Sequence, residues 1–141
     1  GSGPYKAKFI KEAIKYQINN DITWLGKIER NKVLSVFKNS ESLLYPALRD
    51  SGGFVVLEAL SQSLPVATLN IGGPGQIVDN ECGIKISVNK KNENEIIFEL
   101  SSEIEKLINN KDIIDHKRKK SFEKINDFNW ENKVLRLYKQ L

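Results

Sequence analysis

Apolar positions along the chain recur with two periods, and the changes from one period to the other mark out its elements. Tyr5, Phe9, Ala13 and Tyr16 stand among lysines at helical spacing between Pro4 and Ile18, and Pro4 suits a first-turn position. The short run Ile22–Leu25, led in by Asn19, Asn20 and Asp21 and closed by Gly26, predicts a buried strand. Val33, Leu34 and Phe37 form the stripe of a helix over 31–38, and Leu43–Tyr45 is a second strand closed by Pro46. The loop 47–53 then feeds a helix over 54–61. Pro65 ends that segment, and Val66–Leu69 is a third strand. Gly72, Gly73 and Pro74 open a short helix through Val78. After the turn 79–83, the alternation from Ile84 to Val88 gives a fourth strand.

Strand and helix alternate throughout this stretch, which argues for parallel strands joined by helical crossovers. The fold class expected is therefore α/β, a Rossmann-like parallel sheet with flanking helices. Residues 1–88 would be the α/β core of a partial domain over 1–141, and 94–141 its C-terminal helices. Ile96, Ile97, Leu100, Ile104 and Leu107 line a helix over 94–110, and a more charged helix follows over 112–128. Asn129 is placed to cap a last helix, Trp130 to Leu141, with Val134, Leu135 and Tyr138 on one side; at helical spacing that stripe is expected to pack on the sheet or on another domain.

Composition narrows this picture only in places. With 40% hydrophobic and 28% charged residues, the 141-residue chain lies in the range of folded soluble domains. No run approaches a membrane span and the start does not read as a signal peptide, so a cytoplasmic location is expected. Cys82 and His116 are single residues far apart, which excludes a Cys/His metal cluster, and no metal or cofactor is expected. Cys82 has no basic neighbour to activate it and reads as structural. The net charge of +4 suits anionic partners without demanding nucleic acid. The chain has no methionine and is expected to be a piece of something longer.

Three polar, glycine-containing loops each follow a strand and precede a helix: Gly26-Lys27, Arg49-Asp50-Ser51-Gly52-Gly53 and Gly72-Gly73-Pro74. In an open parallel sheet such loops share the edge where ligands bind. Gly52 and Gly53 let a backbone approach a ligand, and the amides of Gly53, Phe54 and Val55 open a helix whose positive end favours a diphosphate. Glu58, about one turn further on, could accept from two neighbouring ribose hydroxyls, and Asp50 from those of a second sugar. Spacing alone leaves the other reading open. In it, Asp50 or Ser51 is an N-cap, both glycine pairs are turns, and Glu58 is a solvated helix residue.

The stretch LLYPALRDSGGFVVLEALSQSLPVATLNIGGPGQIVDNECGIKI, Leu43 to Ile86, resembles the donor-binding domain of the family 4 glycosyltransferases, which have the two-domain GT-B fold. The specific combination is an acidic residue, seven residues, Glu-Ala, then Pro-Val and a Gly-Gly step. Upstream, ITWLGKI resembles the family's apolar strand ending in glycine, and GSGP at the start resembles the loop after an earlier strand, a cloning remnant being the alternative source of Gly1-Ser2-Gly3. The resemblance implies that Asp50 contacts the donor sugar and that Ser51, Gly52, Gly53, Phe54, Val55, Gly72 and Gly73 meet sugar and diphosphate. It gives the ribose to Glu58 and the base to Gly26, Lys27 and Ile28. Asp50 stands where the family usually has glutamate and Gln76 where a glutamate is common, so no catalytic residue is assigned.

The functional expectation is also carried by the resemblance. The parent enzyme would transfer a hexose from a UDP- or GDP-sugar to a glycan acceptor with retention, helix N-termini and basic side chains meeting the leaving diphosphate without an obligatory metal. The acceptor would be held by an N-terminal domain that this chain lacks, together with the first strands of the donor domain. Hence the isolated chain is expected to be inactive. In the family's sheet order the missing strands lie between Ile22–Leu25 and Leu43–Tyr45, so these two should pair, or a second copy should cover the free edge. A non-catalytic nucleotide- or phosphate-binding module is the alternative reading. A third lets His116-Lys117-Arg118-Lys119-Lys120 face an anionic membrane surface, although such runs are mostly solvated helix faces.

Overall fold

The computed structural model describes residues 2–138 and divides into two compact units, one up to Val33 and one from Leu34 onward. In the first unit, α1 (Lys6–Lys15) is followed by a short 3-10 turn, Asn19–Asp21. Pro4 lies in the turn ahead of α1, which begins two residues later than its apolar spacing suggests. Gln17 takes a left-handed conformation, φ 60°, and lets Ile18 N–H close back on the carbonyl of Ala13 at 2.9 Å, a wrap that ends the helix. Ala13 is the buried residue of α1, whereas Tyr5, Phe9 and Tyr16 are exposed.

The strand expected over Ile22–Leu25 does not form. The segment has no regular structure, Leu25 N–H turning back onto Thr23 O at 3.2 Å, it pairs with no strand among the described residues, and Trp24 and Leu25 are 37% and 44% exposed. A short apolar run becomes a strand only where a neighbour takes its amides and carbonyls. Among the described residues Leu43–Tyr45 pairs with Val66–Thr68, and the pairing expected with Ile22–Leu25 is not seen.

Helix α2 (Arg30–Lys38) leads into the second unit, which holds β1 (Leu43–Tyr45), α3 (Phe54–Ser61), β2 (Val66–Leu69), α4 (Gly72–Ile77), β3 (Gly83–Ile86), α5 (Glu93–Ile108), α6 (Lys111–Ile125), a 3-10 turn (Asn126–Phe128) and α7 (Trp130–Tyr138). The sheet is parallel, in the order β1-β2-β3, with Leu43 opposite Val66 and Val66 opposite Gly83. All four β2 residues are buried, as parallel strands under helices should be. By alternation Ala67 and Leu69 share one face, where they join Ile84, Ile86, Leu100 and Leu107 beneath α5. Val66 and Thr68 point to the opposite face. Leu60, Leu64 and Leu107 are fully buried, each worth about 2 kcal/mol of hydrophobic transfer.

Helix starts follow their cap chemistry. Asn92 and Glu95 form a reciprocal capping box on α5 (3.1 and 2.7 Å), and Asn110 Oδ1 accepts from Ile113 N–H on α6 at 3.2 Å. Asn129 Oδ1 accepts from Glu131 N–H at 3.0 Å, the cap its position suggests. The apolar stripe of α7 is not core, because Trp130, Val134 and Tyr138 are 80%, 42% and 74% exposed. The side chain of Leu135 and residues 139–141 lie outside the described residues.

The basic run on α6 is engaged inside the unit. Lys117 donates to the carbonyls of Asn80 and Gly83, and Arg118 to Ser40 O (2.9 Å) and Glu41 (2.7 Å). His116 lies 3.2 Å from Glu81, and Lys120 pairs with Glu123 at 2.8 Å. Ser121 Oγ–H donates to Cys82 O at 2.9 Å, and burial pushes the Cys82 thiol up to about 11. No helix among the described residues is long and apolar enough to cross a membrane.

Candidate functional site

Two glycine loops meet beyond the carboxyl ends of β1 and β2. Pro46 stops β1, and the chain turns through 46–53 into α3, with Gly53 as its N-cap at φ 63°, ψ 26°. At the end of β2 the chain passes Asn70 and Ile71 into α4, and Gly72 is also left-handed at φ 57°. Gly73 N–H donates to the carbonyl of Asp50 at 2.9 Å, tying one loop to the other.

The approach leaves no room for side chains. A Cβ on Gly73 would stand 2.6 Å from Ser51 O and 2.8 Å from Gly53 N, and one on Gly72 would stand 2.3 Å from Asp50 O. A Cβ on Gly53 would meet Ile77 Cδ1 at 2.6 Å and the Gly73 backbone at 3.1 Å. Real Cβ contacts almost never fall under 3.0 Å, so glycine is a requirement of this backbone junction.

Asp50 lies at its centre. One carboxylate oxygen, Oδ1, accepts from the amides of Gly52 (3.0 Å) and Gly53 (2.9 Å), and Oδ2 accepts from the hydroxyl of Tyr45 at 3.0 Å. The Gly53 amide first, then the Tyr45 hydroxyl and the Gly52 amide, outweigh burial and hold the Asp50 carboxyl below the usual range. Burial, joined by the bond and charge of Asp50, raises the Tyr45 phenol and keeps it a donor. Tyr45 is itself held by Thr68, fully buried, whose hydroxyl donates to Tyr45 O at 2.8 Å.

Val56 and Leu57 N–H close onto Gly53 O, and Gly52 and Gly53 N–H are taken by Asp50. The amides of Phe54 and Val55 are what α3 presents at its positive end. Ser51 and Gly72 are exposed, Gly52, Val55 and Glu58 half-buried, and the Phe54 ring 75% exposed. Glu58 sits one turn into α3, and Gln76 is exposed on α4.

Of the residues singled out from the sequence, Asp50, Ser51, Gly52, Gly53, Phe54, Val55, Glu58, Gly72 and Gly73 fall on these loops and on α3. Gly26 (φ 66°), Lys27 and Ile28 belong to the first unit. Neither Asp50 nor Ser51 is the N-cap that the plainer reading allows, since Gly53 holds that position; Asp50 instead satisfies two amides of its own loop. That use leaves one acceptor position on Oδ2. Tyr45 and Thr68 escape sequence reasoning, because both sit inside strands where apolar packing accounts for them; the one signal is a phenol five residues before the aspartate. A groove of about 640 Å³ between β1 and α5, lined by Leu44, Pro46, Leu48, Leu69, Ile97 and Leu100, is apolar and lies outside this junction.

In an open parallel α/β sheet, the crevice at the carboxyl ends of the strands, where these glycine loops lie, is where ligands bind. Residues 1–125 match the family model described as glycosyl transferases group 1, and the chain belongs to that family. It is 30% identical over 82 residues to Protein CapJ of Staphylococcus aureus, covering 57% of this chain and 21% of that protein. It is 27% identical over 145 residues to the uncharacterized glycosyltransferase MJ1178 of Methanocaldococcus jannaschii, covering all of this chain and 39% of that one. The fold matches the crystal structure of WaaG, a glycosyltransferase involved in lipopolysaccharide biosynthesis, with a TM-score of 0.73 at 21% identity over 85% of this chain and 31% of WaaG. The fold is thus the Rossmann-like type of GT-B glycosyltransferases, and the chain spans well under half the length of these relatives.

Proposed function

We propose that this chain is the donor-binding part of a retaining hexosyltransferase that uses a UDP- or GDP-sugar, without a cofactor, to extend a glycan or polysaccharide. The observation that carries the reading is the junction of the two glycine loops, where tight backbone contacts and the start of α3 leave amides facing an anion. The diphosphate would meet the amides of Phe54 and Val55, which Asp50 does not take, and pass over the backbone of Gly53, Gly72 and Gly73, with Ser51 and Gly52 beside it. Asp50 would face the sugar, Glu58 the ribose, and Gly26, Lys27 and Ile28 the base. Family membership, and the involvement of WaaG in lipopolysaccharide biosynthesis, support this reading.

Transfer needs a nucleophile from the acceptor, so the acceptor would be held by a further domain and the isolated chain would bind donor without turnover. A second copy of the chain would cover the edge of β1 that has no strand partner among the described residues. Titration of UDP and GDP into the chain and into Glu58→Ala, followed by amide NMR, tests the site. Shifts centred on Gly52 to Glu58 and Gly72 to Gly73, weakened about tenfold in affinity by the substitution, are expected from the loss of two hydrogen bonds. Shifts elsewhere, or none at millimolar nucleotide, would sink the reading.

A further inference from the structure

We propose that Tyr45 is a positioning residue for the donor sugar, its hydroxyl filling an acceptor position of Asp50 so that the carboxylate reads a single sugar hydroxyl. The inference rests on the donor-site reading above and adds a residue and a mode of recognition to it.

An ionised carboxylate offers about four acceptor positions, two on each oxygen. On Asp50 both positions of Oδ1 are used by the amides of Gly52 and Gly53, and one of Oδ2 by the Tyr45 hydroxyl, all at 2.9 to 3.0 Å. A carboxylate pinned through both oxygens cannot rotate, and its last position points in one fixed direction. A free carboxylate could chelate two vicinal hydroxyls; this one accepts from one. No cation pairs with Asp50 among the described residues, so its charge is left for the ligand. Tyr45 is anchored independently of the loop, since Thr68 on the buried central strand holds its carbonyl. The phenol therefore transmits the position of the sheet to the carboxylate. Removing its oxygen while keeping the ring would reopen an acceptor position and free Oδ2, with little cost to packing.

The test is Tyr45→Phe, alone and combined with Asp50→Asn, measuring by NMR the affinities for UDP, GDP and the corresponding hexose nucleotides. Tyr45→Phe should leave nucleotide affinity within about twofold and lower the preference for sugar nucleotide over bare nucleotide about fivefold, the worth of one ordinary hydrogen bond. It should also narrow the difference between epimeric hexoses. In the Asp50→Asn background the same substitution should change that preference by less than about twofold, because the two residues act through one contact. An equal loss for bare nucleotide and sugar nucleotide would show Tyr45 to be only a scaffold, and an undiminished effect in the Asp50→Asn background would show that it does not act through the carboxylate. Either result overturns the proposal alone. If the wild-type chain binds no nucleotide sugar, the donor-site reading fails and the role of Tyr45 falls with it.

Discussion

Asp50 and Asp79 close two loops built alike, and they differ in what meets the outer oxygen. Each Oδ1 accepts from the amides two and three residues ahead: Gly52 and Gly53 for Asp50, Glu81 (3.1 Å) and Cys82 (3.0 Å) for Asp79. Such a loop is the local geometry to which aspartate is suited. The outer oxygen of Asp79 then takes the ammonium of Lys124 at 2.8 Å, and its charge is cancelled inside the fold. That of Asp50 takes a neutral phenol and keeps its charge. The same backbone device thus fastens α6 at one place and presents an anion beside exposed glycine backbone at the other. A loop motif does not announce its use; the partner of its second oxygen does.

Three substitutions would break or sharpen this contrast. The largest effect is expected at Gly72→Ala, which forces a methyl to 2.3 Å from Asp50 O at φ 57° and should cost about 3 kcal/mol, read as a lowered urea midpoint with the Gly73 amide displaced. Next comes Asp79→Ala, which strips the acceptor from two amides and from Lys124. With the ionic part discounted for solvent screening, about 2 kcal/mol should be lost by the same measurement.

Smallest is Lys124→Met, at about 1 kcal/mol at neutral pH, and its use lies in acid. Burial opposes ionisation of Asp79, yet the Lys124 bond and the Cys82 amide hold its carboxyl down to about 2, against an ordinary 3.8. A depressed folded pKa contributes stability that is full above about 3.8 and is lost as pH falls through about 2. Urea stability measured from pH 6 to pH 2 should therefore fall less in Lys124→Met than in the wild type. An unchanged acid slope would mean that Lys124 does not neutralise Asp79.

Much of the second unit was legible because prolines and glycines punctuate it. Pro46, Pro65 and Gly53 bound Leu43–Tyr45, Val66–Leu69 and Phe54–Ser61 to the residue. Strand β3 starts one residue early and stops at Ile86, because its register follows β2, whose last paired residue is Leu69. Ile22–Leu25 misled because apolar content says nothing about whether a neighbouring strand exists. The α7 stripe does not pack on the sheet, since helical spacing defines a face and not what covers it. The basic run of α6 looked like a surface feature until carbonyls of the Asn80–Gly83 turn and Ser40 were seen to take its donors. The glycine junction was legible from motif spacing, whereas Tyr45 was not, because a hydroxyl reaching from strand to loop has no period.

The lone thiol gives the molecule an internal clock. Cys82 is 1% exposed, its carbonyl is fastened by Ser121, and its own sulfur is kept protonated by burial. An alkylating reagent meets it only through an opening of the turn that Asp79 organises and α6 covers. Its rate of modification is thus a direct count of those excursions, in a chain with no other cysteine to confuse the signal.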